Sequence, residues 1–307
     1  METQNLRGQV HFNLPIGCII NNEYVREVEL LKTNGVAEEV FTKKLSEKPY
    51  TWIGNVISIA TARLGSTLIG SKVREEYVKT GSVNIPAPVL KLTLADANTM
   101  LLEIHRRVWQ NLIPKQTIIC KFCTKTLVAD IDLNKVCMHP DNQAKLDAVG
   151  DAPFEYILTD LIDGFTIDEW AKEMKKTDEF GDLLGVNFNR IIMRIPTLGD
   201  AIRNEKLAVS DNIKFWRKIA FDCIVKIQSI EIRDGKEVVI SEFPEDKIIF
   251  LGNRLFSTML SAEDLRKLRD AVREEVPTMP FHYEDTCPCE MQKEIPFAME
   301  ASAFFSA

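Results

Sequence analysis

Apolar and polar residues alternate near the start of the chain. "VHFNLPIG" and "EYVREVEL" each turn every second side chain to one face, with Asn21-Asn22 between them. Period-two alternation on both sides of a turn-forming pair predicts a β-hairpin over residues 9–29. A short helix is expected over 35–45. In "TWIGNVISIATARLG" the spacing of Ile53, Val56, Ile57, Ala60 and Leu64 marks one helical face, so a helix is predicted over 51–65 with Gly65 as its stop. "GSVNIPAP", 81–88, reads as a loop. The next helix has a capping-box-like start, Thr93 with Asp96 three residues on, and a buried stripe of Met100, Leu101, Ile104 and Val108. "QTIICKFCTKTLVADIDL" then predicts two short strands around a cysteine pair. A polar connection follows over 142–151. "FEYILTDLIDGFTIDEWAKEM" opens the second half, with Thr166 or Asp168 starting a short helix.

The second half reads as a repeat of the first. "FNRIIMRIP", 188–196, resembles "HFNLPIG". A helix over 211–230 stands where 51–65 stood, and 260–276 stands where the Thr93 helix stood. Laid over each other, Thr93 meets Ser261, Asp96 meets Asp264, Met100 meets Leu268, Ile104 meets Val272 and Val108 meets Val276. Cys120 and Cys287 fall one residue out of that register. The expected fold is therefore α+β, two related units from an internal duplication, with domains at 1–145 and 146–307.

Composition bounds the function. Of 307 residues, 45% are hydrophobic and 27% charged, which belongs to a folded chain with a sizeable core. The formal net charge of −7 and the lack of a long basic run predict no nucleic-acid partner. No stretch of about 18 apolar residues occurs, so no membrane span is expected, and the polar start lacks a secretory pattern. Seven cysteines, an odd number with no export signal, favour reduced or metal-bound thiols over a disulfide framework. No Gly-rich phosphate loop, HExxH or GxSxG motif is present, and no catalytic residue is expected.

The chemistry lies in the cysteines. Cys120-x-x-Cys123 has the spacing that supplies two zinc ligands from one tight turn. Three readings stand. Cys287 and Cys289 complete a site shared between the repeats; Cys137 and His139 complete a local ribbon; or no metal is bound. The shared site ranks first, because Cys137 and His139 have no equivalent after Cys289. Cys18 and Cys223 sit among apolar residues and read as core cysteines. His105 reads as a helix-surface or boundary residue, and His11 and His282 as strand residues. Asp130 and Asp132, two apart, read as a solvated strand edge.

The ordered set Leu14, Pro15 and Gly17; Leu64 and Gly65; Leu92, Thr93, Asp96, Leu101 and Leu102; Cys120 and Cys123; Asp132 and Leu133 resembles the baseplate hub assembly chaperone family of T-even-type contractile-tailed phages and related contractile injection systems. The C-terminal "CPCEMQKEIPFAMEASAFF" is similar to the ending of such proteins. The first knuckle departs from the family pattern at Lys121 and Thr124, and the second is C-x-C. The resemblance implies a non-enzymatic assembly chaperone or minor structural component of a baseplate hub. Its partners would be hub or tail proteins, in the cytoplasm of the bacterial host or in the virion tail. A zinc-ribbon-containing regulatory or nucleic-acid-associated binding protein is the alternative. Phe304 and Phe305, in the small-residue tail "ASAFFSA", are the candidate partner-binding residues, and Trp170 and Trp216 are further candidate anchors.

Overall fold

The structure, a computed structural model, describes residues 10–43, 48–109, 111–119, 123–138, 144, 156–157, 162–272 and 281–283. They fall into two compact units. The first draws on Met1–Ala148, Thr197–Val209 and Pro277–Ala307, and the second on Val149–Pro196 and Ser210–Val276. The first thus takes two stretches that a single boundary at 145/146 would give to the second. Helix and sheet are mixed in both, as an α+β fold requires.

In the first unit, β1 (Val10–Ile20) and β2 (Glu23–Leu30) form the expected hairpin. Asn21 and Asn22 turn it with φ of 51° and 65°, a left-handed pair that Asn tolerates better than most residues. Helices α1 (Gly35–Thr42) and α2 (Pro49–Ala60) follow. Strands β3 (Thr61–Leu64) and β4 (Thr67–Leu68) then complete an antiparallel sheet in the order β1-β2-β3-β4. Helices α3 (Gly70–Thr80), α4 (Ala87–Leu90) and α5 (Leu94–Ile104) come next. The predicted loop over 81–88 therefore ends in the first turn of α4. A second hairpin, β5 (Leu112–Ile119) with β6 (Thr126–Asp132), leads to β7 (Val136–Met138).

In the second unit, β8 (Tyr156–Ile157), β9 (Arg190–Met193), β10 (Ile224–Arg233) and β11 (Lys236–Glu242) form an antiparallel sheet in the order β8-β9-β10-β11. Helix α6 (Asp168–Glu173) lies between β8 and β9 in sequence. Helices α7 (Leu198–Ser210) and α8 (Asn212–Asp222) lie between β9 and β10, and α7 groups with the first unit. Helices α9 (Ile248–Arg254) and α10 (Ala262–Asp270) follow β11. The core is aromatic: Phe180 stacks on Phe243 at 5.5 Å, and Trp170 and Phe188 meet these rings edge-on. Trp170 is buried there, a core residue instead of an anchor, while Trp216 is half-buried against Phe215.

Three expectations are corrected. The helix predicted over 51–65 stops at Ala60, and the one over 211–230 stops at Asp222. Each runs into the third strand of its sheet. Ala60 and Leu64 are four apart, as on a helix, but Ala62 and Leu64 are buried and Arg63 is exposed. That two-residue alternation is what the strand obeys. In the second case the β-branched series Ile224, Val225, Ile227, Ile230 and Ile232 favours the strand. The third correction concerns 188–196, of which only Arg190–Met193 form a strand, β9, the second of its sheet in chain order.

The N-terminus of α5 is tied to β1 by one side chain. Asp96 is fully buried. Its Oδ1 accepts the Ile16 N–H at 2.9 Å, and its Oδ2 accepts the Gly17 N–H at 3.0 Å and the Thr93 hydroxyl at 2.8 Å. Thr93 Oγ1 in turn accepts the Asp96 N–H at 3.1 Å, as an N-cap does. Here β1 breaks register between Asn13 and Cys18, and Gly17 has φ +92°. A Cβ on Gly17 would lie 2.7 Å from the Val25 carbonyl oxygen, so no other residue fits without movement. The bulge frees two backbone donors, and the helix supplies the acceptor.

The second unit repeats the device. Ser261 caps α10, its hydroxyl donates to Asp264 Oδ2 at 2.8 Å, and Oδ1 accepts the Asp163 N–H at 3.2 Å. Gly164 follows with φ +92°. A third box, Thr197 with the buried Asp200, opens α7.

Replacing Asp96 by Asn sets an amide donor against one of the backbone N–H groups and leaves a buried donor unmatched. The expected cost is about 2–3 kcal/mol, against about 1 kcal/mol for Thr93→Ala. Urea unfolding midpoints compare the two; an Asp96→Asn loss no greater than that of Thr93→Ala contradicts the clamp.

Candidate functional site

The β5–β6 hairpin carries the first cysteine turn. Cys123 is half-buried at its end, and Thr124 takes φ +56°, its hydroxyl donating to the Cys123 carbonyl at 2.7 Å. Lys115 also has positive φ, +51°, and its N–H donates to Asp130 Oδ1 at 2.8 Å, which fixes the bulge in β5. Asp132 accepts the Asn134 N–H at 3.0 Å and starts the turn after β6. Both carboxylates thus shape the backbone. Cys120, His139, Cys287, Cys289, Phe304 and Phe305 lie outside the described residues. Among the described residues, no group of three or more His, Cys, Asp or Glu is placed to hold a metal ion.

The strands bear on which cysteines can meet. β6 has seven residues. At about 3.3 Å per residue it carries the chain roughly 20 Å away from the Cys123 turn. Three residues then form a 3-10 turn before β7, and Cys137 is the second residue of β7. The local set of Cys120, Cys123, Cys137 and His139 and the shared set of Cys120, Cys123, Cys287 and Cys289 both include residues outside the described ones.

β7 instead pairs with β12 (Phe281–Tyr283), antiparallel, with Phe281 opposite Met138, His282 opposite Cys137 and Tyr283 opposite Val136. This pairing joins the segment after the second unit to the Cys137 strand. It was not legible in the sequence, because three-residue strands carry almost no periodicity.

Other candidates resolve plainly. Cys18 and Cys223 are fully buried, as expected. Burial pushes the Cys18 thiol up to about 12; Asp96 adds to the rise and Lys91 opposes it. A thiol held protonated in this way is a poor nucleophile. His105, expected at a helix surface or boundary, is buried in the π-helical segment that continues α5. It follows Leu101 by four residues and Leu102 by three, both buried, so helical spacing sets it on an inward face.

An exposed apolar cluster on the second unit went unseen in the sequence. Met174, Ile249 and Phe250 are 46%, 72% and 52% exposed. Lys176 Nζ lies 4.6 Å from the Phe250 ring, and Arg254 pairs with Glu173. These contacts set the end of α6 beside α9 and frame the cluster with charge. Lys247 and Lys176 both bond Glu179, at 2.8 Å and 3.1 Å. The available signal was "KIIFLG", four consecutive large apolar residues in one short helix, which cannot all face inward.

No family model matches the chain, and no curated protein or solved structure matches it.

Asp96 is the described carboxyl whose titration reports its surroundings most directly. Burial pushes it up from 3.8 to about 6, while hydrogen bonds from Ile16, Thr93 and Gly17 pull it down. The folded value exceeds the unfolded one, so its contribution to stability is fully present below about 3.8 and is lost as pH rises through about 6. Carboxyl carbon NMR should find a midpoint near 6, moved upward by Thr93→Val, which removes one donor. A midpoint below the ordinary value, or one indifferent to Thr93→Val, contradicts the assignment.

Proposed function

We propose that the chain is a non-enzymatic assembly chaperone or minor structural component of the baseplate hub of a contractile phage tail or injection system, acting by binding hub or tail proteins. In this reading it works in the cytoplasm of the bacterial host during assembly. It is built from two related units derived by duplication, with a structural zinc as its only cofactor.

The observation that carries the binding role is the cluster of Met174, Ile249 and Phe250 on the second unit, rimmed by Lys176, Glu173 and Arg254. An apolar centre inside a charged rim is the anatomy of a protein interface, where a few anchors carry most of the affinity. The contractile-tail setting rests on the ordered motifs from Leu14 to Leu133. Three of the buried carboxylates, Asp96, Asp200 and Asp264, are held in caps by hydroxyl or backbone donors.

Co-expression with the baseplate hub and tail-tube proteins of a contractile-tailed phage tests the proposal. A stable complex is expected on gel filtration, weakened at least tenfold by Ile249→Asp, whose melting temperature should stay within a degree or two of the parent because the side chain is 72% exposed. Absence of any complex, or one indifferent to Ile249→Asp, counts against it.

A further inference from the structure

Beside the apolar cluster of the second unit, two lysines already hold one exposed carboxylate. We propose that the surface of Met174, Ile249 and Phe250 takes an acidic, apolar segment of a partner protein, whose carboxylate replaces Glu179 between Lys176 and Lys247. The inference rests on the binding role proposed above for this cluster and names the chemistry of the partner.

Glu179 shows how the site holds a carboxylate. Its Oε1 lies 2.8 Å from Lys247 Nζ and its Oε2 lies 3.1 Å from Lys176 Nζ. The two ammonium groups come from separate stretches of the chain, one just beyond α6 and one just before α9. Hydrogen bonds from Lys247 and then Lys176 hold the Glu179 carboxyl below the ordinary carboxylate range.

Aromatic rings fix both lysines. Lys247 Nζ stands 4.9 Å from the Phe180 ring centroid, and Lys176 Nζ stands 4.6 Å from that of Phe250 and 5.9 Å from that of Phe180. Phe180 is buried and stacked on Phe243, so the lysines rest on the aromatic core. An ammonium group over a ring keeps its charge and has already lost freedom before a partner arrives, which lowers the cost of binding.

Glu179 is replaceable. Its side chain is 39% exposed, and an exposed ion pair contributes little to stability. A carboxylate on an incoming segment exchanges one such pair for an equal one. Burial of Ile249 and Phe250 under the same segment is then a net gain. Phe250 touches Lys176, so the acidic side chain of the partner sits next to an apolar one. A cationic segment would oppose both lysines. A second copy offering the same patch would bring four ammonium groups to two carboxylates, so the chemistry favours an acidic partner over self-association.

The test uses the full-length chain and a fluorescent amphipathic peptide with leucine and glutamate at helical spacing, followed by anisotropy. The control peptide carries glutamine at every glutamate. The glutamate peptide should bind tighter by about fivefold or more. Lys176→Gln and Lys247→Gln should each remove most of that difference, and Lys247→Arg should keep it. Ile249→Asp should weaken both peptides. Glu179→Gln should tighten the glutamate peptide by about two- to fivefold, because the competing carboxylate is gone. Equal binding of the two peptides overturns the assignment and leaves the binding role intact. Binding that ignores the two lysine variants and Ile249→Asp lies elsewhere and overturns it, as does no binding of either peptide. A dimer of the chain alone that Ile249→Asp abolishes makes a second copy the occupant and also overturns it. A hub complex that fails to form while the glutamate peptide binds as expected removes the contractile-tail setting and leaves this inference standing.

Discussion

A buried carboxylate at the N-terminus of a capped helix is the constraint on which both units depend. Asp96 is fully buried and takes its hydrogen bonds from its own cap and from the backbone of a strand far away in sequence. Unpaired, it would cost several kcal/mol to bury. Bonded to Ile16 and Gly17, it satisfies two donors that the β1 bulge has withdrawn from the ladder. The helix end, positive by its dipole, favours the same charge. Three local oddities therefore compensate one another: a left-handed glycine, an interrupted strand and a buried acid. Removing any one exposes the cost of the other two.

The recurrence of this device in the second unit is more informative than the general likeness of the two sheets. A four-stranded antiparallel sheet in chain order is common. A serine or threonine cap, a fully buried aspartate three residues on, and a backbone donor from a strand-side turn with a glycine at φ +92° form a more demanding combination. The two helices also stop early at corresponding places, Ala60 and Asp222, each passing into the third strand. In both sheets the third strand is thus taken straight from a helix end.

Much of the fold was legible in the sequence. The Asn21-Asn22 hairpin, the Thr93 and Ser261 caps and the two strands around Cys123 followed from turn chemistry and local spacing, which act over a few residues. The strand starts at Thr61 and Ile224 were not legible, because helical and strand periods share the positions that had been counted. Of the β7–β12 pair, the sequence named Cys137 as a candidate ligand and gave His282 only a strand role. Their pairing across more than a hundred residues had no local signature. The Met174, Ile249 and Phe250 cluster escaped for a related reason. Exposure of an apolar side chain is a property of the finished surface, and a single sequence does not distinguish a core-facing isoleucine from an outward one.

The same distinction governs the β10–β11 hairpin. Asp234 and Gly235 turn it with φ of 53° and 73°. Beyond the body of the sheet it exposes Ile232, Val239 and Ile240. β11 is an edge strand and so presents unpaired backbone groups, a surface on which chains aggregate. Two features blunt it. The register shift between Ser229 and Ile230 interrupts the regular edge at Ile240, and charged residues, Lys236, Glu237 and Glu242, flank the apolar run. The β11 edge thus carries two exposed β-branched side chains, Val239 and Ile240, on a strand whose regular pairing is interrupted, which makes it a poor template for a further strand. β7 and β12, by contrast, pair only with each other, as a two-stranded sheet of their own.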